Sequence, residues 1–322
     1  MEINVVAITV TYNRVNTLLK TIRALINQNY NKLDKIIIVD NNSSVENIRK
    51  IDEMKKLDER IEVLYLNKNL GGAGGFENGV RYAKEKYNAK WYWIMDDDAY
   101  PTVNCLSNLM VKTKKLNNIG FLAPLIYGIT LEEYQLYHHK RIDKNLKEYS
   151  IYNNYDEIDT ISNIDANAFV GPLISQEAIE RVGYPDGNLF IYGDDTEYTY
   201  RITQSGLEGY LVKEAIINHE DPPQDKGISL PTHWWKNYYS IRNQYFFINK
   251  FGKNKLYIIK SKCKLTINTI KSILVTFIKI DYRNYRVIRI RLLIKAIIDG
   301  LFNITGKNLD PVVYIGKIND IK

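Results

Sequence analysis

The feature that most constrains the fold is an alternation of short apolar runs with segments of helical spacing. Four runs rich in β-branched or aromatic residues predict strands at residues 5–10, 35–39, 61–66 and 91–95. Helical spacing follows the first three runs, at residues 18–26, 45–57 and about 76–86. Strands alternating with helices are typical of a mostly parallel sheet covered on both faces, so the sequence predicts an α/β, Rossmann-like fold.

Polar clusters follow three of the predicted strands. They are Asn13-Arg14, Asp40-Asn41 and Asp96-Asp97-Asp98. In an open parallel sheet, ligands bind in the crevice outside the carboxyl ends of the strands. The sequence therefore predicts one binding site that collects these three clusters.

The rest of the chain divides by pattern and by charge. Residues 127–164 are mixed and rich in Tyr, which suggests an insertion or lid; a strand is predicted at 165–175 and helices at 177–182 and 194–204. The Pro222-Pro223 pair marks a boundary, so we predict a catalytic domain at 1–231 and a mainly helical region at 232–322.

The helical region is strongly basic. It carries 18 Lys and Arg against 4 Asp, a net charge of +14, whereas residues 1–231 carry a net charge of −7. A basic region rich in Ile, Leu and Tyr favours nucleic acid or an anionic membrane surface as partner. No run reaches the 18 or more consecutive apolar residues of a spanning helix, so a membrane partner would be contacted at its surface. An ordinary helical annex or an oligomer contact is the alternative.

Composition and cysteine usage limit the classes of protein to which this chain can belong. Hydrophobic residues make up 45% and charged residues 25%, which argues against wholesale disorder and against an integral membrane bundle. Cys105 and Cys263 are far apart and form no metal-type spacing, as expected in a reducing compartment. The residues after Met1 lack the basic start of a signal peptide, so we expect a cytoplasmic protein.

The Asp96-Asp97-Asp98 cluster predicts a metal site. Alternate side chains after a strand point the same way, and two carboxylates that share a direction repel unless a cation joins them. Mg²⁺ favours a few carboxylates together with substrate phosphates, so a divalent ion bridging the protein to a diphosphate is the natural interpretation. A solvated acidic loop or a helix cap before Pro101 is the alternative.

Five segments, in this order along residues 3–245, resemble the inverting family 2 glycosyltransferases of the GT-A fold. They are Val10-Thr11-Tyr12-Asn13-Arg14, Ile38-Val39-Asp40-Asn41, Asn69-Leu70-Gly71-Gly72-Ala73-Gly74-Gly75-Phe76, Asp96-Asp97-Asp98 and Gly193-Asp194-Asp195-Thr196-Glu197. Within that family they are most similar to bacterial galactofuranosyltransferases, with rhamnosyltransferases next. The resemblance implies a nucleotide-sugar donor and a divalent metal, Mn²⁺ or Mg²⁺.

The resemblance also implies roles for the acidic residues. Asp96 and Asp98 match the metal-binding members of the DxD motif, and His219 matches a histidine that completes the metal site, although a lone histidine is often structural. Asp97 turns away or touches the sugar.

Asp194 and Asp195 begin a predicted helix, and one of the two can act as a base because the acceptor hydroxyl must lose its proton during transfer. By family position we assign the base to Asp195. The alternative is that both cap the helix, with Glu197 paired to Arg201.

The nucleotide contacts implied by the resemblance lie in three loops. The Gly71 to Gly75 turn lacks the spacing of a dinucleotide fingerprint, and its glycines let the backbone pass close to the donor. Asp40 can accept a hydrogen bond from a pyrimidine base. The further donor contacts are Thr11, Asn13, Arg14, Asn69, Gly71, Gly72 and Asp97. Ordinary turn formation is the alternative for the polar members.

Two features of the basic region await an assignment. Trp234, Trp235, Tyr238, Tyr239, Arg242 and Asn243 could contact sugar or lipid headgroups, but core packing is the simpler interpretation. Residues 256–280 alternate Lys with Ile and Leu and predict a basic amphipathic helix that suits a membrane surface.

Taken with the resemblance, these patterns predict an inverting glycosyltransferase. The implied donor is UDP-galactofuranose and the implied acceptor is a hydroxyl of a bacterial cell-surface or lipid-linked glycan, reached at the inner face of the membrane. A rhamnosyltransferase that uses dTDP-rhamnose is the alternative. A basic nucleic-acid-binding protein or a silent glycan-binding relative is the non-enzyme alternative; we expect no nucleic-acid partner.

Overall fold

The computed structural model describes residues 4–220 and 230–320. They form two compact units: residues 4–187 with 194–220, and residues 188–193 with 230–320. Asp221 and the Pro222-Pro223 pair lie outside the described residues. The functional division of the chain at residue 231 stays a prediction.

The first unit contains the strands and six of the described helices. The strands are β1 (Val5–Thr11), β2 (Leu33–Asp40), β3 (Ile61–Tyr65), β4 (Trp91–Asp96), β5 (Ala99–Pro101), β6 (Ile119–Gly128), β7 (Glu133–Tyr134), β8 (His139–Ile142), β9 (Glu148–Ser150), β10 (Ile161–Ile164), β11 (Ala166–Asn167), β12 (Val170–Ser175) and β13 (Glu208–His219). The helices are α1 (Val15–Ile26), α2 (Val45–Met54), α3 (Gly71–Tyr87), α4 (Cys105–Lys112), α5 (Gln176–Val182) and α6 (Asp194–Gln204).

The main sheet has the order β10-β13-β6-β12-β4-β1-β2-β3, with β5 paired to β13 and β7 to β6. Strands β4, β1, β2 and β3 run parallel, and β12 is antiparallel to both of its neighbours. Strand β1 is buried along its whole length because its alternate side chains enter two separate cores, Val5 and Ala7 in one and Val6 and Ile8 in the other. The prediction of an α/β fold with a mostly parallel, doubly covered sheet is confirmed.

Helix α3 begins at Gly71, so the prediction that the glycine turn precedes a helix starting at Phe76 is wrong. Gly71 has a φ of 75°, a left-handed conformation that glycine adopts without strain. Further along the helix, a Cβ at Gly75 would lie 2.4 Å from Cγ1 of Val10. The absence of a side chain at Gly75 therefore lets α3 pack closely against β1.

The stretch after β6 builds a small annex of strands. Strands β11, β8 and β9 form a second, three-stranded sheet, while β10 pairs with β13 of the main sheet. The single strand predicted at 165–175 is wrong, because the chain leaves the small sheet after Asn167 and enters the main sheet at Val170. The Asn167 side chain fixes this break by accepting from Nδ1 of His139 and donating to the carbonyl of Ala168.

The second unit consists mainly of helices: α7 (Trp234–Phe251), α8 (Lys255–Ile278), α9 (Arg286–Leu301) and α10 (Pro311–Asn319). Its core contains Trp234, Tyr238 and Tyr239, each no more than 1% exposed, which confirms core packing for that aromatic cluster. Arg242 and Asn243 are buried as well and donate to the carbonyl of Leu189, which holds segment 188–193 in this unit. Among the described helices, none has both the length and the apolar character needed to span a membrane.

Candidate active site

The predicted polar clusters meet at the carboxyl edge of the parallel strands. Thr11, the last residue of β1, lies opposite Asp40, the last residue of β2. On its other side β1 pairs with β4, where Val10 lies opposite Asp96. The register of three parallel strands therefore brings the ends of β1, β2 and β4, and the loops that follow them, to one edge of the sheet.

Asp97 is turned into the protein. It is 3% exposed and accepts a hydrogen bond of 2.6 Å from Oγ1 of Thr11 through Oδ2. Its Oδ1 lies 2.9 Å from Nη1 of Arg14. Burial raises the pKa of Asp97 to about 7, although Arg14 and the Thr11 hydrogen bond act in the opposite direction. Both oxygens have partners, so these contacts favour a supporting role over the predicted sugar contact, which stays a prediction.

Arg14 links two of the clustered acids. Its Nη2 lies 2.7 Å from Oδ2 of Asp98, while Nη1 contacts Asp97. Burial alone would lower the pKa of Arg14, but the charges of Asp97 and Asp98 raise it, so the guanidinium stays protonated. The guanidinium of Arg14 thus holds the carboxylates of Asp97 and Asp98 in fixed orientations at the edge of the site.

Asp96, Asp98 and His219 form a group that could hold a metal ion. One ligand atom from each of the three lies within 4.8 Å of the others, and Nε2 of His219 is 3.5 Å from Oδ1 of Asp98. Strand pairing creates this proximity, because His219 of β13 lies opposite Ala99 of β5, directly after Asp98. Two carboxylates and an imidazole are a ligand set that suits Mn²⁺ or Mg²⁺, so the residues present fit a divalent ion.

Gln135 orients the imidazole of His219. It is 2% exposed, and its side-chain oxygen lies 2.9 Å from Nδ1 of His219. Since that oxygen can only accept, Nδ1 donates to it, and Nε2 on the other side of the ring lies 3.5 Å from Oδ1 of Asp98. The hydrogen bond to Gln135 therefore keeps Nε2 on the side of the ring that faces Asp98 and the group that could hold a metal ion.

The site holds excess negative charge. Burial raises the pKa of Asp96 well above its ordinary value, and the charges of Asp98, Asp97, Asp194 and Asp195 raise it further. Burial acts in the same direction on Asp98, but His219 and Arg14 together lower the pKa of Asp98 below its ordinary value. A bound cation would relieve this concentration of carboxylates.

Asp194 and Asp195 begin helix α6 and belong to the same acidic region, because their charges act on Asp96. Asp194 is 7% exposed, and burial together with the charge of Asp195 raises its pKa to about 8. Asp195 is less buried, and its Oδ1 accepts a hydrogen bond of 2.6 Å from the backbone N–H of Thr196. The charges of the acids predicted for catalysis therefore act on Asp96, one of the acids predicted for metal binding.

The helix-stabilising alternative for this segment is also present. Nε of Arg201 lies 2.8 Å from Oε1 of Glu197, and Nη2 lies 3.0 Å from Oε2, so the two residues form a bidentate pair one turn apart. Glu197 is 1% exposed. The pair supports α6 without occupying Asp194 or Asp195, so helix support and a catalytic role for the acids are compatible.

The predicted nucleotide contacts in the first two loops hold the loops together. Asn13 has a φ of 57°, and its Oδ1 accepts a hydrogen bond of 2.8 Å from the backbone N–H of Ser44. Asp40 is fully buried, and both of its carboxylate oxygens lie 3.2 Å from the backbone N–H of Ser43. Loop formation is thus part of what these residues do, and their donor contacts stay predictions.

Hydrogen bonds from two asparagines hold the turn before α3. Oδ1 of Asn69 accepts from the backbone N–H of Gly71 at 2.8 Å. Asn41 donates to the carbonyl of Gly71 and accepts from the N–H of Leu70. A Cβ at Gly72 would meet no atom within 4 Å, so this glycine faces open space. Gly72 is therefore where a donor could approach the backbone.

Sequence reasoning missed two residues that shape the site. Asn41 follows a buried strand, and this position is a usable signal for a residue that fixes the neighbouring loop. Gln135 carried no local signal, since it lies in the aperiodic stretch 127–164 and contacts His219 through the fold alone.

Comparisons with known proteins agree with this geometry. The family model described as Glycosyl transferase family 2 matches residues 6–181. The galactofuranosyltransferase GlfT1 of Mycolicibacterium smegmatis is 25% identical over 268 residues, covering 78% of this chain and 85% of that protein. The dTDP-rhamnosyl transferase RfbF of Shigella flexneri is 25% identical over 310 residues, covering 95% of this chain and 98% of that protein.

Solved structures share the fold. GalNAc-T7 with UDP, GalNAc and Mn²⁺ superposes with a TM-score of 0.56 at 20% identity, over 79% of this chain and 52% of that chain, so this chain spans about half of it. The mannosyltransferase PcManGT from Pyrobaculum calidifontis, in complex with GDP-Man and Mn²⁺, superposes with a TM-score of 0.57 at 14% identity, over 94% of this chain and 88% of that chain. The predicted GT-A fold with a helical C-terminal region is confirmed.

Proposed function

This chain belongs to glycosyltransferase family 2, and from that premise we propose that it transfers galactofuranose from UDP-galactofuranose, with inversion, to a hydroxyl of a bacterial glycan. The observation that carries the proposal is the convergence of Asp96, Asp98 and His219 within 4.8 Å, where the charges of Asp194 and Asp195 also act on Asp96. Membership of the family favours an enzyme over a silent or nucleic-acid-binding protein. The acceptor is a cell-surface or lipid-linked glycan at the inner face of the membrane.

The donor diphosphate binds at the acidic edge of the sheet. Asp96, Asp98 and His219 would hold a divalent ion, Mn²⁺ or Mg²⁺, which would supply positive charge to offset the negative charge of the leaving diphosphate. Arg14 keeps Asp98 oriented, and Gln135 keeps Nε2 of His219 aimed at the same point. Thr11, Asn13, Asp40 and the open face at Gly72 line the path of the nucleotide.

Asp195 is the general base. It is less buried than Asp194, so its carboxylate is the more accessible of the two to an acceptor hydroxyl. The acceptor hydroxyl gives its proton to the Asp195 carboxylate while its oxygen forms a bond to the anomeric carbon. The bond from that carbon to the diphosphate breaks, and its electron pair leaves with the diphosphate. Attack opposite the leaving group inverts the anomeric configuration.

A second donor has support of its own. The alignment with the dTDP-rhamnosyl transferase of Shigella flexneri covers 95% of this chain. The alignment with the galactofuranosyltransferase of Mycolicibacterium smegmatis covers 78%, and both relatives are 25% identical to this chain over the aligned residues. dTDP-rhamnose is therefore the alternative donor. The two donors differ in both base and sugar, so a binding measurement can separate them.

The test is a thermal-shift panel of nucleotide sugars, each with Mn²⁺, with Mg²⁺ and with a chelator. We expect UDP-galactofuranose with Mn²⁺ to raise the unfolding midpoint most, because a ligand that binds only the folded state stabilises it in proportion to its affinity. Inversion is read from the anomeric configuration of the product. A larger shift with dTDP-rhamnose would favour the alternative, and stabilisation that is equal with metal and with chelator would argue against the metal site.

A further inference from the structure

Helix α8 exposes its apolar residues. It is 24 residues long, about 36 Å. Six of its apolar side chains are between 45% and 62% exposed, and their spacing puts them on one face, here called the α8 apolar stripe: Leu256, Ile259, Ile267, Ile270, Leu274 and Phe277. A water-facing helix has the opposite arrangement, with polar groups outward.

The face of α8 that packs against the protein is held by hydroxyl groups. Thr269 and Thr276 are buried, at 3% and 0% exposure. Thr276 accepts a hydrogen bond of 3.2 Å from Nε of Arg289 in α9, and Oγ1 of Thr266 lies 2.8 Å from the hydroxyl of Tyr245 in α7. The packing face thus combines satisfied hydroxyl groups with half-buried apolar side chains such as Ile273, whereas the α8 apolar stripe on the other face is left for a partner.

Charge identifies the partner. Exposed Lys260, Lys264 and Lys271 flank the stripe along one side, and the helix contains no Asp or Glu. A second copy of α8 would bring lysines against lysines with no acid to pair them. A nucleic acid would match the charge but would leave the apolar stripe in water. An anionic lipid surface offers phosphates for the lysines and an apolar phase for the stripe.

We propose that α8 lies in the plane of an anionic lipid bilayer, with the α8 apolar stripe inserted among the acyl chains and the flanking lysines at the headgroups. This anchoring needs no sugar transfer, so it stands apart from the proposed activity. It concerns the same surface on which a lipid-linked acceptor would be carried.

The test is flotation of the full chain with vesicles of phosphatidylcholine and phosphatidylglycerol, and with phosphatidylcholine alone. We expect the wild-type chain to float with the anionic vesicles only. The variant Lys260→Gln/Lys264→Gln/Lys271→Gln and the variant Ile270→Ser/Leu274→Ser should each lose about tenfold or more of the bound fraction. A matched control, Lys56→Gln/Lys114→Gln/Lys144→Gln, removes three exposed lysines of the first unit and should float like wild type.

The substituted side chains are exposed, so unfolding midpoints should stay at the wild-type value, which separates loss of binding from loss of fold. Absence of flotation, or equal loss in the control variant, would overturn the proposal. So would a dimer, detected by light scattering, that dissociates when Ile270 and Leu274 are replaced, since a second copy would then cover the stripe. Donor-dependent thermal shifts are measured separately, so either proposal can fail alone.

Discussion

At the scale of the residue, the proposed chemistry depends on acidic side chains whose pKa values are shifted by burial and by neighbouring charges. Asp194 and Asp195 are adjacent, yet burial and the neighbouring charge raise the pKa of Asp194 to about 8. Adjacent carboxylates with different environments are suited to different tasks. The proposed division of labour between them can be tested by single substitutions.

Replacing Asp195 with Asn removes the proposed base and leaves the size of the side chain unchanged. We expect the transfer rate to fall about 100-fold to 10,000-fold, the usual contribution of a positioned base, while the donor with Mn²⁺ still raises the unfolding midpoint. Asp156→Asn, at an exposed position of the first unit, is the control and should transfer normally. Wild-type transfer by Asp195→Asn would remove the assignment.

Gln135 gives a second test at this scale. Gln135→Leu removes the acceptor for Nδ1–H of His219, so the ring loses both its tautomer preference and its orientation. We expect Mn²⁺ affinity, measured by calorimetry, to fall about 10-fold to 100-fold.

Gln135→Glu keeps an acceptor at that position and should restore most of this affinity, which a merely structural role would not predict. Gln176→Leu, on α5, is the control. If His219→Ala abolishes Mn²⁺ binding but Gln135→Leu does not, then His219 is a ligand that needs no help from Gln135.

At the scale of the element, α3 combines packing with an approach to the donor. A Cβ at Gly75 would lie 2.4 Å from Val10 of β1, and Val10 is a stiff β-branched residue. A Cβ at Gly72 would meet no atom within 4 Å. Two glycines one helical turn apart therefore serve different physical purposes: Gly75 allows close helix–strand contact, and Gly72 leaves the backbone open.

Alanine substitutions separate these two reasons. We expect Gly75→Ala to destabilise the fold by about 1–3 kcal/mol through overpacking, measured by denaturant unfolding. Gly72→Ala should keep or slightly raise stability, because alanine favours a helix, yet weaken donor binding. Donor binding that is unchanged in Gly72→Ala would remove this glycine from the proposed nucleotide path.

Element boundaries show what local patterns can and cannot predict. The strands β1, β2 and β4 were predictable because most of their residues are buried on both faces and their apolar runs are nearly continuous. The start of α3 was not predictable, because a glycine-rich segment normally indicates a turn and the close approach of Gly75 to Val10 of β1 joins residues far apart in the chain. The break between β11 and β12 was also unpredictable, since it depends on hydrogen bonds of Asn167 to distant partners.

At the scale of the whole molecule, the acidic site makes the stability of the first unit depend on pH. The pKa of Asp194 is raised from 3.8 to about 8 in the folded protein, and that of Asp97 to about 7. Folding therefore favours the protonated forms, which gives stability that is complete below about pH 4 and is lost as pH rises through about 8.

We therefore expect deprotonation of these two acids to lower the unfolding midpoint of the metal-free protein as the pH rises from about 5 to about 8. Asp194→Asn should show a shallower fall, because the amide does not titrate. Saturating Mn²⁺ should also flatten the profile by offsetting the negative charge. Identical pH profiles for wild type and Asp194→Asn in chelator would contradict the raised pKa.

The sequence by itself determined the alternation of strands and helices, and with it the edge of the sheet at which Asp40 and Asp96 to Asp98 collect. Local periodicity and burial carry that information, because a strand buried on both faces must be apolar along its length. The five family-like segments likewise indicated the enzyme family before any geometry was known.

The tertiary structure decided which distant residues complete the site and which faces are left open. His219 reaches Asp98 only because β13 pairs with β5, and Gln135 reaches His219 from a stretch without any periodic pattern. The outward direction of the α8 apolar stripe likewise depends on partners in α7 and α9. Such contacts join residues far apart in the chain, so no local pattern encodes them.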